Sequence, residues 1–153
     1  MDRIAIGCDQ NAFELKENLK SYLLELGIEP VDFGCEGIDD VVDYPQIATR
    51  VADSVACKEF ERGILLCGTG IGMAITANKI PGIRAACCHD PYSAERAMKS
   101  NNAQILTMGA QIIAPALARV ILDHWLHSEF LGGRSAAKVK QIDDLDEMYR
   151  SKR

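Results

Sequence analysis

The sequence lacks several features that would decide its class at once. In 153 residues there is no uninterrupted apolar run of the roughly 18 needed to cross a bilayer. The opening "MDRIAIGCDQ" has neither the basic start nor the long apolar core of a secretory signal, so the cytoplasm is the expected location, with no membrane partner. No block of Lys and Arg suggests a groove that tracks phosphates, and the net charge is −5, which argues against nucleic acid. Six cysteines are present, at 8, 35, 57, 67, 87 and 88, but no CxxC pair, and the only adjacent His and Cys are Cys88 and His89. That spacing gives no support to a zinc site, and a chain that is not exported has no use for a disulfide framework. Apart from Cys67, these thiols are expected to be small buried hydrophobes.

What is present is an alternation. Short apolar runs at "RIAIGC", "EPVDFG", "GILLC", "IRAACC" and "AQILTMG" read as strands. "GILLC" is apolar throughout, as a strand buried on both faces should be. Between them lie helical patterns. In residues 13–27, Phe13, Leu15, Leu19, Leu23 and Leu26 form the apolar stripe and Gly27 is the candidate cap. Residues 44–60 read as a helix with Pro45 at its first position. Residues 70–79, 91–100 and 114–130 follow, and a polar amphipathic helix over 135–150 closes the chain. Strict alternation predicts one α/β domain over 1–153, a three-layer α/β/α arrangement on a five-stranded parallel, Rossmann-like sheet. In such sheets ligands bind beyond the carboxyl ends of the strands.

The stretch "LLCGTGIGMAITANKI" has chemistry at that place. Glycines let backbone N–H groups approach a ligand, and a following helix start favours negative charge. The pattern is GxGxG rather than GxGxxG, and no GK[ST] follows, so it is a weak match to a nucleotide loop. The same N–H groups suit a phosphate or an enediolate oxygen. Thiols at helix starts give up a proton more easily than free ones, which makes Cys67 either a candidate base or nucleophile, or a packed thiol that ends a strand.

"DQNAFELKENLKSYL", "DYPQIATRVA", "RGILLCGTGIGMAITANKIPGIRAACCHDPYSAERA", "NNAQILTMGA" and "GGRSAAKV" together resemble the type B ribose-5-phosphate isomerases and the related galactose-6-phosphate isomerase subunits. The resemblance spans nearly the whole chain. It implies aldose–ketose isomerisation of a sugar phosphate through a cis-enediolate, with no metal and no organic cofactor. It also implies a homodimer with active sites between subunits, with pairing into a dimer of dimers left open, and a C-terminal helix that packs on the partner. By position, Cys67 would move the proton between C1 and C2, as suits a base working near its own pKa. Thr69 and the N–H groups of Gly68, Gly70, Ile71 and Gly72 would hold the oxyanion. Asp9 and Asn101 would bind sugar hydroxyls, Tyr44 would close the pocket, and Arg134 of the other subunit would bind phosphate. Read alone, Asp9, Tyr44 and Asn101 are turn or capping residues.

Four departures from the family pattern bear on the substrate. Gln10 replaces a histidine that helps hold phosphate, and Ser100 replaces the histidine credited with opening a furanose ring. Gln111 stands where an arginine is common, and Lys138 where a second phosphate-binding arginine often sits. Serine does not titrate near pH 7, and lysine lacks the arginine fork. A tetrose or tetrulose 4-phosphate cannot form a furanose, so a tetrose-phosphate isomerase, as in the erythritol branch of the family, stands beside the pentose reading. His89 follows the fourth strand and reads as a hydrogen-bonded strand-end histidine or a substitute acid. His124 and His127 read as surface or interface residues. Two readings of other kinds remain: a silent subunit, against which Cys67 argues, and a non-catalytic phosphate- or nucleotide-binding module.

Overall fold

The computed structural model describes residues 1–152, so Arg153, the last residue of the expected domain, lies outside the described residues. The strands are β1 (Arg3–Cys8), β2 (Glu29–Asp32), β3 (Gly63–Cys67), β4 (Ala85–Cys87) and β5 (Ile105–Gly109). The helices are α1 (Phe13–Glu25), α2 (Tyr44–Ala56), α3 (Ile71–Ala77), α4 (Pro91–Asn101), α5 (Pro115–Leu126) and α6 (Ala136–Ser151). All strand pairs are parallel, in the order β2-β1-β3-β5-β4. β3 and β5 are buried throughout and the edge strands β2 and β4 are not, which is why the central pair reads as unbroken apolar sequence.

Right-handed crossovers decide the faces. From β1 the chain steps outward to β2, then returns over β1 to β3. This puts α1 on one face with α4 and α5, around Leu19, Leu23, Leu122 and Trp125. The opposite face carries α2 and α3, around Ile47, Val51, Met73 and Ala77. The reversal between β1 and β3 opens a crevice at their carboxyl ends, with Asp9 on one lip and Gly68 on the other.

Several element ends differ from the sequence reading, each for a local reason. α1 ends as expected: Gly27 at φ +77° lets Ile28 N–H reach Leu23 O at 2.9 Å and Gly27 N–H reach Leu24 O at 3.0 Å, although Leu26 itself is exposed. In α2, Pro45 is the second residue, not the first, and the helix stops at Ala56. Phe60 turns back into the core, edge-on to Phe33 at 5.9 Å. α3 stops at Ala77 because the Asn78 amide pairs with both Ala85 N–H (2.8 Å) and Ala85 C=O (2.9 Å). α5 stops at Leu126 because the Arg62 guanidinium takes the carbonyls of Trp125, Leu126 and Ser128. Trp125 is wholly buried, its indole N–H on Ala103 O at 3.0 Å. Cys57 and Cys87 are exposed, against expectation; Cys8, Cys35 and Cys88 are buried. On α6 only Val139 is buried, leaving Ile142, Leu145, Met148 and Tyr149 exposed.

The sequence pattern gave no warning of Lys16. It lies inside the stripe of α1 with its whole side chain buried, 2.9 Å from Asp32 Oδ1 and bonded to the Cys35 carbonyl. Lys20 holds the other carboxylate oxygen at 2.7 Å. Burial pushes the Asp32 carboxyl up, but bonds from Lys20, Lys16 and the Gly34 N–H outweigh it and hold the group below its ordinary range. A depressed folded pKa gives stability that is complete above about pH 4 and lost as pH falls through the folded value. We predict that Asp32→Asn, which strands the buried ammonium, costs about 2–3 kcal/mol in urea unfolding at pH 7. The same variant should show a shallower acid limb below about pH 4, with Asp90 and Asp146, also held low, supplying what remains; a parent and variant with the same acid limb would contradict this assignment.

Candidate active site

Cys67 ends β3 and pairs in register with Gly109, the end of β5. It is buried, and its Sγ accepts the Gly70 N–H at 3.1 Å. Such a contact strengthens when sulfur carries charge. The loop that follows is tied down from behind. Ala110 N–H donates to Cys67 O at 2.9 Å and Gln111 N–H to Gly68 O at 3.0 Å. The buried Thr107 hydroxyl donates to Gly70 O at 2.8 Å. Gly70 sits at φ +76°, and a Cβ there would stand 2.8 Å from the Met108 carbonyl carbon. The chain must therefore be glycine at this point to turn from strand into helix.

Thr69 is exposed, and its Oγ1 accepts the Ile71 N–H at 3.4 Å. The expected row of oxyanion donors is thus divided. Gly70 N–H is committed to the sulfur and Ile71 N–H to Thr69. The N–H groups of Gly68 and Gly72 meet no acceptor among the described residues. Tyr44, the first residue of α2, lays its ring against Gly72, where a Cβ would meet Cε2 at 2.6 Å. The Gln111 amide lies over Gly68, its Oε1 3.0 Å from where a Cβ would be.

Across the crevice, Asp9 is buried and does turn chemistry: Oδ1 accepts Asn11 N–H at 3.0 Å and Oδ2 the Asn11 amide at 3.3 Å. The Gln10 Oε1 accepts Val42 N–H at 3.4 Å, which ties β1's end to the loop before Tyr44. His89 is a hydrogen-bonded strand-end histidine: its Nε2 accepts the Gly109 N–H at 2.9 Å. Burial holds its imidazole below the ordinary range, partly offset by the Asp90 charge.

Three predicted residues are not with this cluster. Asn101 ends α4 at the amino edge of the sheet, where Arg84 Nε takes its carbonyl. That edge lies a strand's length, roughly 13 Å, from the edge bearing Cys67. Beside it, the Ser100 hydroxyl accepts from Arg96. Arg134 is in the short turn Gly133–Ser135, and Lys138 opens α6; both are exposed and make no ion pair or side-chain hydrogen bond among the described residues. The largest cavity, about 1150 Å³, lies beside Lys16, Asp32 and Arg50 rather than at Cys67. A smaller one, about 710 Å³, touches Gln10 and Ala110. The Cys67 loop is open in a single chain.

Sequence reasoning missed Thr107, although a lone hydroxyl inside the apolar run "ILTMG" is a signal, because a buried hydroxyl needs a partner. It also missed Arg96, whose spacing of four from Ser100 puts both on one face of α4.

A parallel α/β sheet with a thiol, a glycine loop and unpaired N–H groups at its switch point is the class these observations define. A family model described as Ribose/Galactose Isomerase matches residues 4–142, and the chain belongs to that family of sugar-phosphate isomerases. It is 57% identical over 148 residues to "Ribose-5-P isomerase B" of Listeria innocua, covering 97% of this chain and 99% of that one. It is 50% identical to "D-erythrulose-4-phosphate isomerase" of Pectobacterium atrosepticum, over 91% of each. The solved ribose-5-phosphate isomerase B of Clostridium thermocellum superposes with a TM-score of 0.93 at 42% identity, over 96% of this chain and 99% of that one.

Gly70→Ala tests the loop. The left-handed backbone alone costs about 1–2 kcal/mol for an alanine, and the Met108 contact adds to it. We expect a lower melting temperature and loss of isomerisation, measured by thermal unfolding and a coupled assay. Unchanged activity would show that the loop need not hold this shape.

Proposed function

We propose that the chain is a cytoplasmic, cofactor-independent aldose–ketose isomerase of a short sugar phosphate, with Cys67 as the base. The observation that carries this is the Cys67 Sγ held by Gly70 N–H beside the unpaired N–H groups of Gly68 and Gly72. In the aldose-to-ketose direction the thiolate takes the proton from C2, the C–H electron pair becomes the C1–C2 double bond, and the C1 carbonyl π pair passes to O1. The resulting cis-enediolate oxygen rests on Gly68 and Gly72 N–H and the Thr69 hydroxyl, donors aimed where charge develops. Sulfur returns the proton to C1 while the hydroxyl proton moves between O2 and O1. No atom is gained or lost. Six free thiols fit a reducing compartment.

The site is completed by a second copy. Asn101, Arg134 and Lys138 lie away from Cys67 in their own chain, and they are the groups the family resemblance assigns to hydroxyls and phosphate. The apolar residues Ile142, Leu145 and Met148 on α6, exposed in one chain, suit packing on that copy. The working unit is then a homodimer with composite sites.

A tetrulose 4-phosphate is the favoured substrate over ribose 5-phosphate. Ser100 carries no imidazole, and the acceptor nitrogen of His89, the nearest substitute, is already used by Gly109. A substrate that never closes to a furanose needs neither. The pentose reading retains the support of the relative named a ribose-5-P isomerase B.

Cys67→Ala should reduce kcat by about 10²–10⁴-fold without loss of fold, and Cys67→Ser nearly as far. Retained turnover in either would refute the base. Mixing Cys67→Ala with Arg134→Ala chains should recover part of the activity, because one site of each mixed dimer escapes both changes; no recovery after proven subunit exchange would exclude shared sites. In a panel of ribose 5-phosphate, allose 6-phosphate, galactose 6-phosphate and the erythrulose 4-phosphates, kcat/KM should be highest for an erythrulose 4-phosphate. Efficient use of ribose 5-phosphate with inert tetruloses would return the assignment to the pentose.

A further inference from the structure

His89 has a place in the site that neither its titration nor its resemblance to a strand-end cap explains fully. β4 ends at Cys87, two residues before it, while β5 continues to Gly109. Cys88 N–H still donates to Thr107 O at 3.1 Å, so the ladder runs one step beyond β4 and then stops. The next donor on β5, Gly109 N–H, has lost its neighbouring strand. The His89 ring takes over, with Nε2 at 2.9 Å. An imidazole that accepts through Nε2 must be neutral and carry its proton on Nδ1.

What Gly109 holds is the catalytic loop. A Cβ on Gly109 would lie 2.6 Å from the Thr69 Cα and carbonyl carbon, so the two backbones are in close contact. The next two residues, Ala110 and Gln111, donate to the carbonyls of Cys67 and Gly68. A shift of Gly109 therefore moves Thr69 by contact and Cys67 and Gly68 by hydrogen bonds. Among the described residues, the only side chain bonded to the Gly109 N–H is His89.

We propose that His89 is a positioning residue: through Nε2 it fixes the Gly109–Gln111 turn, and through that turn the alignment of Cys67 and Thr69. The proposal rests on the reading of Cys67 as the base. It differs from a role for His89 as a proton donor to the sugar, because the nitrogen it uses points at backbone. Misplacement of a reacting group by an ångström costs about 10- to 100-fold in rate. Removing the acceptor should therefore lower kcat and leave KM nearly unchanged.

The test compares His89→Leu, which removes the acceptor, with His89→Gln, whose Oε1 can replace Nε2. On D-erythrulose 4-phosphate, or ribose 5-phosphate if that is the better substrate, His89→Leu should lose about 10- to 100-fold in kcat with KM within about threefold. His89→Gln should stay within about threefold of the parent. In parallel, iodoacetamide alkylation of Cys67 is followed on its own peptide by mass spectrometry, which separates it from exposed Cys57 and Cys87. That rate should change in His89→Leu and not in His89→Gln. The alkylation arm reads the position of the thiol whether or not Cys67 is the base, and Cys67→Ala turnover decides the base separately. If His89→Gln falls as far as His89→Leu, or if His89→Leu keeps the parental kcat and alkylation rate, the positioning role is wrong.

Discussion

The pairing of Cys67 with Gly109 across β3 and β5 is the constraint on which the site depends. It joins the two strands at the level where β3 passes into the glycine-rich loop and β5 ends on Gly109. Because the register is fixed by two fully buried strands, the turn after β5 arrives behind the loop after β3 and ties down its carbonyls. A slip of one residue would reverse every side chain of β3 and send Cys67 to the α1 face. The thiol, Thr69 and the unpaired N–H groups are thus aligned by the sheet itself.

The charges are arranged with a different purpose on the two sides of the crevice. On the β2 side a buried lysine, a second lysine and an aspartate close on one another, so the cavity beside them is lined in part by groups already paired. On the β3 side there is no such pairing among the described residues, and the polarity is that of backbone N–H groups. Backbone donors cost no side-chain ordering and do not need a counter-charge. They suit an oxygen that is charged only briefly. The cations proposed for the phosphate, Arg134 and Lys138, are exposed and without partners among the described residues.

The proposed groups are spread over the chain. The edge of the sheet with the strands' carboxyl ends bears Cys67 and Asp9, and the opposite edge bears Ser100 and Asn101 at the end of α4. Large apolar side chains lie in the open on α6 and α3, Ile71 and Ile75 among them. Exposed apolar faces of this kind are where the homodimer proposed above would close.

Much of this was legible in the sequence. The alternation of apolar runs and helical stripes determined the layers, because a strand buried on both faces is built almost wholly of apolar residues, with a buried hydroxyl such as Thr107 bonded to backbone, and a crossover helix needs an apolar stripe. The thiol and glycines of "CGTGIG" located the loop, since only glycine permits the φ of Gly70 against Met108. What the sequence did not determine was anything set by partners distant along the chain. Helix ends moved where Arg62 or Asn78 captured carbonyls and amides of other elements. Nothing along the chain marks Lys16 for burial; Asp32 and the Cys35 carbonyl, brought within its reach by the fold, do. His89 became a backbone acceptor only because β4 ends before β5. The sequence decided which groups exist and which way each element faces. Tertiary structure alone decided which donor meets which acceptor, because that depends on where strands stop and not on what precedes or follows them in the chain.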